Sequence, residues 1–459
     1  MGAQAALRES PALKLAMQGL QRHHAVEAAI WGMPAVNYDL MLQEMLTKTG
    51  ARENEIVYWG KPLDWKNQTL TPNPDTIYLM CFFQTKDVGP VVFEVPPAEG
   101  GSLNANLVNL WQMAIEDEGL KGVDQGKGAK YLILPPGYDK PIPAGYTPLK
   151  LDTFSSYVLI RANLKSHSDK DVADAVAYGK RIKVYPLSQA ASPPATKFTD
   201  AKDVLFDSTI RYDASFFEAL NRIVQKEPWL ERDRIMIDVL KSLGIERGKP
   251  FKPDAVTKKI FDDAMRETRM LLEAEYDAGL PPFFEGAGNW YFPARQEYIE
   301  AMQHSFEDGQ QYPVDARGLT YTYAYIAIKH LGAGQFYLIS IRDKDGDAFD
   351  GAKSYRLHVP ANAPVEQYWS VTLYDRETHA LIKNVDSASR ASNAAEVQKN
   401  ADGSVDLYFG PKAPAGKESN WVPTDPKRGW EAMFRLYGPK KEFFAKPAAW
   451  KLPDIEKVH

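Results

Sequence analysis

A short polar loop carries the side chains of this sequence that could do acid/base chemistry. Residues 71–78 have the sequence Thr-Pro-Asn-Pro-Asp-Thr-Ile-Tyr. Two prolines restrict the backbone, while Asn73, Asp75 and Thr76 offer hydrogen-bond donors and acceptors beside the strand that we expect to follow. A rigid set of polar groups suits ligand binding. The alternative is that Asp75 and Thr76 bond only to the backbone of their own turn.

No other motif in the sequence supports a specific chemistry. The Gly-x-Ser-x-Gly elbow of α/β hydrolases is absent, and so are the glycine-rich loops that bind nucleotide phosphates. The eight histidines are scattered, apart from the adjacent His23 and His24, whose side chains would point about 100° apart on a helix. The sequence therefore predicts no metal and no cofactor, although a metal site assembled from distant residues stays open.

The composition limits the class of protein that presents this loop. The chain has 459 residues, of which 44% are hydrophobic and 25% charged, so it is long enough for two or three folded domains. Its net charge is −5 and it has no long basic run, which disfavours nucleic acid as a partner. No run of about 18 apolar residues is present, so we expect no transmembrane segment.

The N-terminus and the cysteine content leave the compartment open. The first ten residues lack the apolar core of a signal peptide, which is about 7–15 residues long. We therefore expect a periplasmic or secreted protein if a leader has been removed, and a cytoplasmic one otherwise. The single cysteine, Cys81, cannot form an internal disulfide and does not decide between these compartments. Its apolar surroundings favour a buried structural thiol.

The pattern of apolar residues divides the chain into four parts. Residues 1–50 have helical spacing, with an expected break at residues 32–34, where Gly-Met-Pro would interrupt the helix. Residues 51–212 and 318–459 consist of short β-branched and aromatic runs separated by proline and glycine, which is typical of a β-sandwich or a β-barrel. Residues 213–317 are predicted to form a helical bridge. The expected fold is mainly β with α, in two β domains.

Several motifs in this order resemble a known two-domain family. The N-terminal motifs are Trp31-Gly32-Met33-Pro34, the 71–78 loop, Arg161 in its strand and Tyr185-Pro186-Leu187. The C-terminal motifs are Asp347 to Gly351 with Tyr355, then Tyr368 to Asp375, Asn420-Trp421-Val422-Pro423 and Arg435-Leu436-Tyr437-Gly438-Pro439. Together they resemble the family that pairs an N-terminal domain of unknown function 1254 with a C-terminal domain of unknown function 1214. The resemblance implies two jelly-roll-like β-sandwich domains, and often oligomers and an export signal.

The first functional hypothesis is a small-molecule-processing enzyme, with hydrolysis as its expected reaction and a pocket at the 71–78 loop. Asp75 would act as the general acid or base, and Asn73 and Thr76 would donate polarising hydrogen bonds. Arg161 would hold an anionic group of the substrate. The alternative for Arg161 is a buried ion pair with Asp75 that only orders the loop.

Four residues are the expected contacts to the ligand: Asn73, Tyr78, Trp111 and Tyr185. Tyr78 and Trp111 would wall the pocket and exclude water. Tyr185 could donate a phenolic hydrogen bond, although an aromatic residue before a proline also serves packing.

Two further hypotheses do not require catalysis. The first is a non-catalytic envelope protein that binds a glycan or another small ligand, because aromatic residues make up 12% of the chain and stack on sugar faces. The second is a structural jelly-roll protein that forms homo-oligomers. The expected partners are therefore a small-molecule or glycan ligand and further copies of the same chain.

Overall fold

The structure is a computed structural model that describes residues 10–284, 288–303, 311–324, 326–330 and 334–458. Within these ranges, two β-sandwich domains are connected by a group of helices, and a long helix precedes them. The fold class predicted from the sequence is therefore confirmed. No helix in the described ranges combines the length and the apolar character that a membrane span requires.

The helices lie mainly at the N-terminus and between the two β domains. They are α1 (Pro11–Glu44), α2 (Asp169–Gly179), α3 (Ser215–Lys226), α4 (Met236–Ser242), α5 (Ala255–Gly279), α6 (Gln296–Gln303), α7 (Val314–Tyr323) and α8 (Lys441–Ala445). Helices α3 to α6 lie within the predicted bridge of residues 213–317, and α7 continues beyond it. Helix α1 packs against α3, α5 and α7, so it forms the centre of the helical group.

Helix α1 is continuous where the sequence predicted a break. It passes through Pro34, which has no backbone N–H to donate. Side chains from elsewhere bond to nearby carbonyl oxygens: Arg317 donates to Trp31 over 3.1 Å, and Gln112 donates to Pro34 over 2.9 Å. The break expected at residues 32–34 is therefore wrong, since the helix continues past a proline that removes a single intrahelical hydrogen bond, the one to the Ile30 carbonyl.

The N-terminal domain contains the first twelve strands. These are β1 (Ile56–Tyr58), β2 (Asn67–Gln68), β3 (Thr76–Gln84), β4 (Val91–Val95), β5 (Leu103–Asn109), β6 (Ala114–Gly119), β7 (Ala129–Leu134), β8 (Thr147–Lys150), β9 (Ser155–Asn163), β10 (Lys183–Pro186), β11 (Phe198–Asp200) and β12 (Phe206–Asp207). One sheet has the order β11-β1-β3-β9-β5-β6 and a second has the order β10-β4-β7-β8, while β12 pairs with β2.

Strand β3 shows how the larger sheet divides its side chains between two cores. Leu79, Cys81 and Phe83 face the smaller sheet and fill the inside of the sandwich. Met80 and Phe82 face the opposite side and pack with helix α1. Every residue of β3 is buried, because both faces of this sheet are covered. Cys81 is a buried free thiol, as predicted.

The C-terminal domain contains the other eight strands. These are β13 (Gln335–Ser340), β14 (Ser354–Val359), β15 (Val365–Asp375), β16 (Ser389–Ala391), β17 (Val405–Gly410), β18 (Trp421–Pro423), β19 (Trp430–Pro439) and β20 (Glu456–Val458). They form two four-stranded sheets, with the orders β13-β19-β15-β16 and β18-β17-β14-β20.

Alternation along β15 and β19 gives the first of these sheets two different faces. Trp369, Val371 and Leu373 pack with Phe434 and Leu436 in the core of the sandwich. The intervening residues point the other way, toward the N-terminal domain and the helices, and they are mostly polar or aromatic: Tyr368, Ser370, Thr372, Tyr374, Glu431, Arg435 and Tyr437. This second face is buried as well, so its polar groups need partners.

Candidate ligand-binding site

The 71–78 loop lies against the polar face of the C-terminal sheet. Tyr374 donates its hydroxyl hydrogen to the carbonyl oxygen of Pro72 over 2.7 Å. Tyr368 donates to the carbonyl oxygen of Asp75 over 3.0 Å. The proline-restricted backbone of the loop therefore presents its carbonyl groups to tyrosines of the other domain.

Asn73 holds the loop in shape and also joins the two domains. Its backbone N–H donates to the Tyr78 hydroxyl over 2.9 Å, and its Oδ1 accepts from the N–H of Asp75 over 3.0 Å. Its Nδ2 donates to the hydroxyl of Tyr437, 2.7 Å away in the C-terminal sheet. The amide of Asn73 is thus occupied by protein groups on both sides.

Arg435 is a buried cation on the polar face of strand β19. Its side chain is held by three neutral groups: Nη1 donates to Thr372 Oγ1 over 2.8 Å, and Nη2 donates to the Thr71 carbonyl over 3.1 Å and to the Tyr374 hydroxyl. The residue is only 2% exposed. Among the described residues, no carboxylate lies within 4.0 Å of its guanidinium. The charge is therefore solvated by dipoles and has no direct counter-ion in the described chain.

Arg161 approaches the same region from strand β9 of the N-terminal domain. It is 4% exposed, its Nη1 donates to Asn106 Oδ1 over 2.6 Å, and its guanidinium lies 5.9 Å from the centre of the Tyr78 ring. Asn106 in turn donates to Asp117 over 2.8 Å. Asp117 also accepts the backbone N–H groups of residues 329–330, at 3.0 Å and 2.7 Å. The Arg161 side chain is thus linked to a carboxylate through a neutral amide.

A cavity of about 640 Å³ lies where the 71–78 loop, the helical group and the C-terminal sheet meet. Arg161 and Arg435 both line it, together with Tyr78 and Tyr337. The guanidinium of Arg435 lies 5.5 Å from the centre of the Tyr337 ring. Much of the remaining wall is apolar: Pro281, Pro282, Phe292, Ile299, Met302, Ile326, Ala327, Ile328, Phe336 and Phe444. A volume of this size accommodates an ordinary small organic ligand.

The cavity is positively charged on its polar side. Its lining includes no carboxylate, histidine or cysteine within the part of the chain that the structure describes. Burial raises the pKa of the Tyr337 and Tyr374 hydroxyls, so both stay neutral at physiological pH. The guanidinium groups of Arg161 and Arg435 can therefore attract an anion, and the other walls can enclose the apolar body of a ligand.

Comparison with known proteins places this site within a family. Residues 54–186 match the family described as "Protein of unknown function (DUF1254)", and residues 334–441 match "Protein of unknown function (DUF1214)". The chain belongs to the two-domain DUF1254–DUF1214 family. This confirms the resemblance of the sequence motifs. Arg161 lies in the DUF1254 match and Arg435 in the DUF1214 match, so each of the two matched domains of this chain contributes one guanidinium to the cavity.

Two solved structures are similar to this chain over nearly its whole length. The VPA0106 protein from Vibrio parahaemolyticus is 18% identical, with a TM-score of 0.57 over 96% of this chain and 100% of that one. An uncharacterised protein from Burkholderia cenocepacia is 11% identical, with a TM-score of 0.44 over 97% of this chain and 96% of that one. The first likeness supports the fold alone. No curated protein matches the chain.

The predicted site residues in this DUF1254–DUF1214 chain are only partly brought together. Asn73, Tyr78 and Arg161 line the cavity. Asp75 does not belong to the cavity lining; it is 5% exposed, and its Oδ2 accepts from Ser389 Oγ over 2.8 Å. Asp75 bonds to Ser389 and Arg161 bonds to Asn106, whereas the ion-pair alternative paired Asp75 with Arg161.

The three other predicted residues lie away from the cavity. Thr76 is fully buried at the start of β3. Trp111 packs in the helical core, with its ring centre 4.6 Å from that of Trp31. Tyr185 lies in the smaller sheet of the DUF1254 domain and donates to Glu94 over 3.3 Å. These side chains make contacts within the protein. Their roles in ligand binding or catalysis stay predictions.

Sequence reasoning did not identify Arg435 or Tyr337 as site residues. Arg435 is the only charged residue in the run Met433-Phe434-Arg435-Leu436-Tyr437, and a charge on the alternate face of an otherwise apolar strand is a usable signal. Tyr337 gives no such signal, because an aromatic residue in a strand normally packs in a core. Its place in the cavity depends on β13 pairing with β19, where Tyr337 lies opposite Arg435.

A buried ionic cluster lies behind the cavity wall. His379 Nδ1 is 2.8 Å from Glu431 Oε1, and its Nε2 is 3.7 Å from Glu273. Tyr276 also donates to Glu431, over 2.8 Å, while Arg376 pairs with Glu273 over 2.7 Å. Burial alone would lower the pKa of His379, but the two glutamates outweigh it and raise the pKa to about 9. His379 is therefore charged at neutral pH.

Proposed function

We propose that this protein binds a small organic anion with an apolar body in the cavity between its two β domains. The observation that carries the proposal is Arg435, a cation that is 2% exposed and has no carboxylate within 4.0 Å among the described residues. Removing a charge from water without a counter-ion is unfavourable by several kcal/mol. An anionic ligand would supply the missing charge.

The second arginine and the aromatic hydroxyls define the anion's side of the cavity. Arg161 and Arg435 enter from different domains, and both line the same cavity with Tyr78 and Tyr337. A guanidinium group donates two parallel hydrogen bonds to a carboxylate, which makes this pair of residues suited to a planar anion. A carboxylate is therefore the anionic group that we assign to the ligand.

The apolar side of the cavity determines the chemical character of the rest of the ligand. Ile299 and Met302 on helix α6, together with Phe336 and Phe444, leave a surface that hydrogen-bonds poorly. Burial of apolar ligand atoms here contributes about 25 cal/mol for each Å² removed from water. An aliphatic or aromatic body fits this wall better than a glycan, whose hydroxyls would lack partners there.

Binding is better supported than hydrolysis. The described lining holds neither a carboxylate nor a histidine to act as general base, and Asp75, the acid/base candidate from the sequence, bonds to Ser389 outside it. The enzymatic hypothesis therefore stays a prediction. The binding alternative rests on charges and surfaces that the cavity itself contains.

Thermal shift with three probes of the same length tests the proposal. Octanoate, octan-1-ol and octylammonium carry the same apolar chain with a negative, neutral or positive head group. We expect octanoate at about 100 times its Kd to raise the melting temperature by roughly 2–5 °C, because it binds only the native state. The alcohol and the amine should leave the melting temperature unchanged. Equal shifts from octanoate and octanol, or no shift from a panel of aliphatic and aromatic carboxylates, would contradict the proposal.

A further inference from the structure

We infer that Asp75 positions Arg435 for the anion through two intervening hydroxyl groups, although Asp75 does not line the cavity. This inference rests on the proposed function, since it concerns the same bound anion. It gives Asp75 a role that differs from the acid/base role expected from the sequence. Asp75 and Arg435 belong to different domains, so the link also crosses the interface between them.

A chain of three hydrogen bonds connects the two charges. Arg435 Nη1 donates to Thr372 Oγ1 over 2.8 Å. The Thr372 hydroxyl donates to Ser389 Oγ over 3.3 Å, and the Ser389 hydroxyl donates to Asp75 Oδ2 over 2.8 Å. Every donor in this chain points away from the cation and toward the carboxylate. Bonds aligned in this way polarise one another, so the chain is stronger than its separate members.

The strand register fixes the geometry of the chain. Thr372 on β15 lies opposite Ser389 on β16, and Arg435 on β19 lies opposite Ser370, two residues from Thr372 on the same face. The two hydroxyl residues are therefore held side by side by the backbone of the sheet. Arg435 reaches them from the neighbouring strand.

The surroundings keep the carboxylate of Asp75 in its place. Tyr368 donates to its carbonyl oxygen, and Asn73 accepts its backbone N–H. Arg390, on the same strand as Ser389, is a further cation close enough to interact with Asp75 electrostatically. Asp75 is thus fixed at the end of the chain, while Arg435 has no carboxylate within 4.0 Å among the described residues.

This arrangement predicts that breaking the chain at Asp75 or at Ser389 weakens binding of the anion. Asp75→Ala and Asp75→Asn both remove the negative charge, but only Asp75→Ala removes the oxygen that accepts from Ser389, so Asp75→Ala should bind octanoate about 3- to 10-fold more weakly than Asp75→Asn. Ser389→Ala interrupts the chain and leaves Arg435 less well oriented, so octanoate should bind about 3- to 10-fold more weakly. Ser370→Ala is the matched control, because Ser370 lies on the same face and contacts Tyr437 at 3.5 Å without joining the chain.

Calorimetric titration of octanoate into the full-length protein tests the inference with a double-mutant cycle. We expect the difference between Asp75→Ala and Asp75→Asn to disappear in the Ser389→Ala background, because the chain is then already broken. An unchanged difference would show that Asp75 does not act through Ser389, and wild-type affinity in Ser389→Ala would show that the chain does not act on the site. Either result would overturn the inference.

Crystal structures of the unliganded Ser389→Ala and Ser370→Ala variants separate this inference from the proposed function. We expect the Arg435 guanidinium to move away from Thr372 Oγ1 in Ser389→Ala and to stay in place in Ser370→Ala. If it moves while no carboxylate binds the wild type, the positioning role stands and the proposed function fails. If it does not move, the positioning role fails, whatever the protein binds.

Discussion

Tyr374 of the C-terminal sheet donates a hydrogen bond to the carbonyl oxygen of Pro72 in the N-terminal domain, over 2.7 Å. Both groups are buried. The same hydroxyl accepts from Arg435, so one tyrosine joins the loop, the sheet and the cavity. The interface between the domains is therefore built from specific polar contacts, and small changes in it should be measurable.

Replacing Tyr374 with phenylalanine should destabilise the protein by about 1–3 kcal/mol. The substitution keeps the ring but leaves the Pro72 carbonyl without its tyrosine donor, and an unsatisfied buried acceptor has a penalty of about this size. Urea denaturation monitored by fluorescence measures the difference. Tyr408→Phe, on strand β17 of the β18-β17-β14-β20 sheet, is the control, because Tyr408 is partly exposed; it should change the free energy of unfolding by less than about 0.5 kcal/mol. Equal losses in the two variants would contradict this prediction.

Gly318 allows helix α7 to cross α1 closely, and alanine should not be tolerated there. A Cβ atom at this position would lie 2.7 Å from the carbonyl oxygen of Ile30. We expect Gly318→Ala to lower stability by about 1–3 kcal/mol, as overpacking does. Gly19→Ala in the same helical group has no atom within 4 Å of the new methyl and should stabilise the protein by about 0.5–1 kcal/mol. Melting temperatures that rise in both variants would show that α7 can move away from α1.

The stability of the protein should fall as the pH rises from about 6.5 to 9. The pKa of His379 is raised to about 9 in the folded state by Glu431 and Glu273, whereas the unfolded chain has the ordinary value near 6.5. The folded state therefore holds the proton more tightly. Its extra stability is complete below about pH 6.5, declines between the two pKa values and is absent above about pH 9.

Urea unfolding at a series of pH values measures this slope in the wild type and in His379→Gln. The variant should be less stable at pH 6 and should show a flatter dependence on pH, with a difference of up to roughly 3 kcal/mol across the range. His358→Gln is the matched control, because His358 also contacts a carboxylate, Asp406 at 2.8 Å, but its side chain is 42% exposed. An unchanged slope in His379→Gln would assign the pH dependence to other groups.

Filling the apolar part of the cavity should prevent binding of octanoate although neither arginine is substituted. Ile299 on helix α6 lines the cavity, and Ile299→Trp would place a larger ring in the space assigned to the apolar body. We expect octanoate affinity to fall at least about tenfold, while Ile235→Trp, at a residue that is 79% exposed, should leave it unchanged. Titration calorimetry measures both. Wild-type affinity in Ile299→Trp would place the ligand elsewhere.

The architecture could be predicted from the sequence because its signals are local. Alternation of apolar residues and the spacing of proline and glycine indicated the strands. Pro34 was misjudged for a physical reason. Its turn of the helix is buried by tertiary packing and contacted by Gln112 and Arg317, which are distant in sequence, and no local pattern reveals them.

The site was predictable only in part, because it is made by the meeting of two domains. The 71–78 loop and Arg161 were recognised, and Asn73, Tyr78 and Arg161 do line the cavity. The partner of Asp75 could not be foreseen, since Ser389 is 314 residues away in the chain. Which face of β19 meets the N-terminal domain is likewise a property of the assembled structure, and it decides the position of Arg435.

The affinity of the Arg435→Gln variant for octanoate is the most direct test of the central claim. Titration calorimetry on the wild type, on Arg435→Gln and on Arg356→Gln compares the buried arginine with a surface arginine that pairs with Glu456. We predict that the wild type and Arg356→Gln bind octanoate equally, and that Arg435→Gln binds at least about tenfold more weakly. Octanoate binding of wild-type strength in Arg435→Gln would contradict an anion site at this residue.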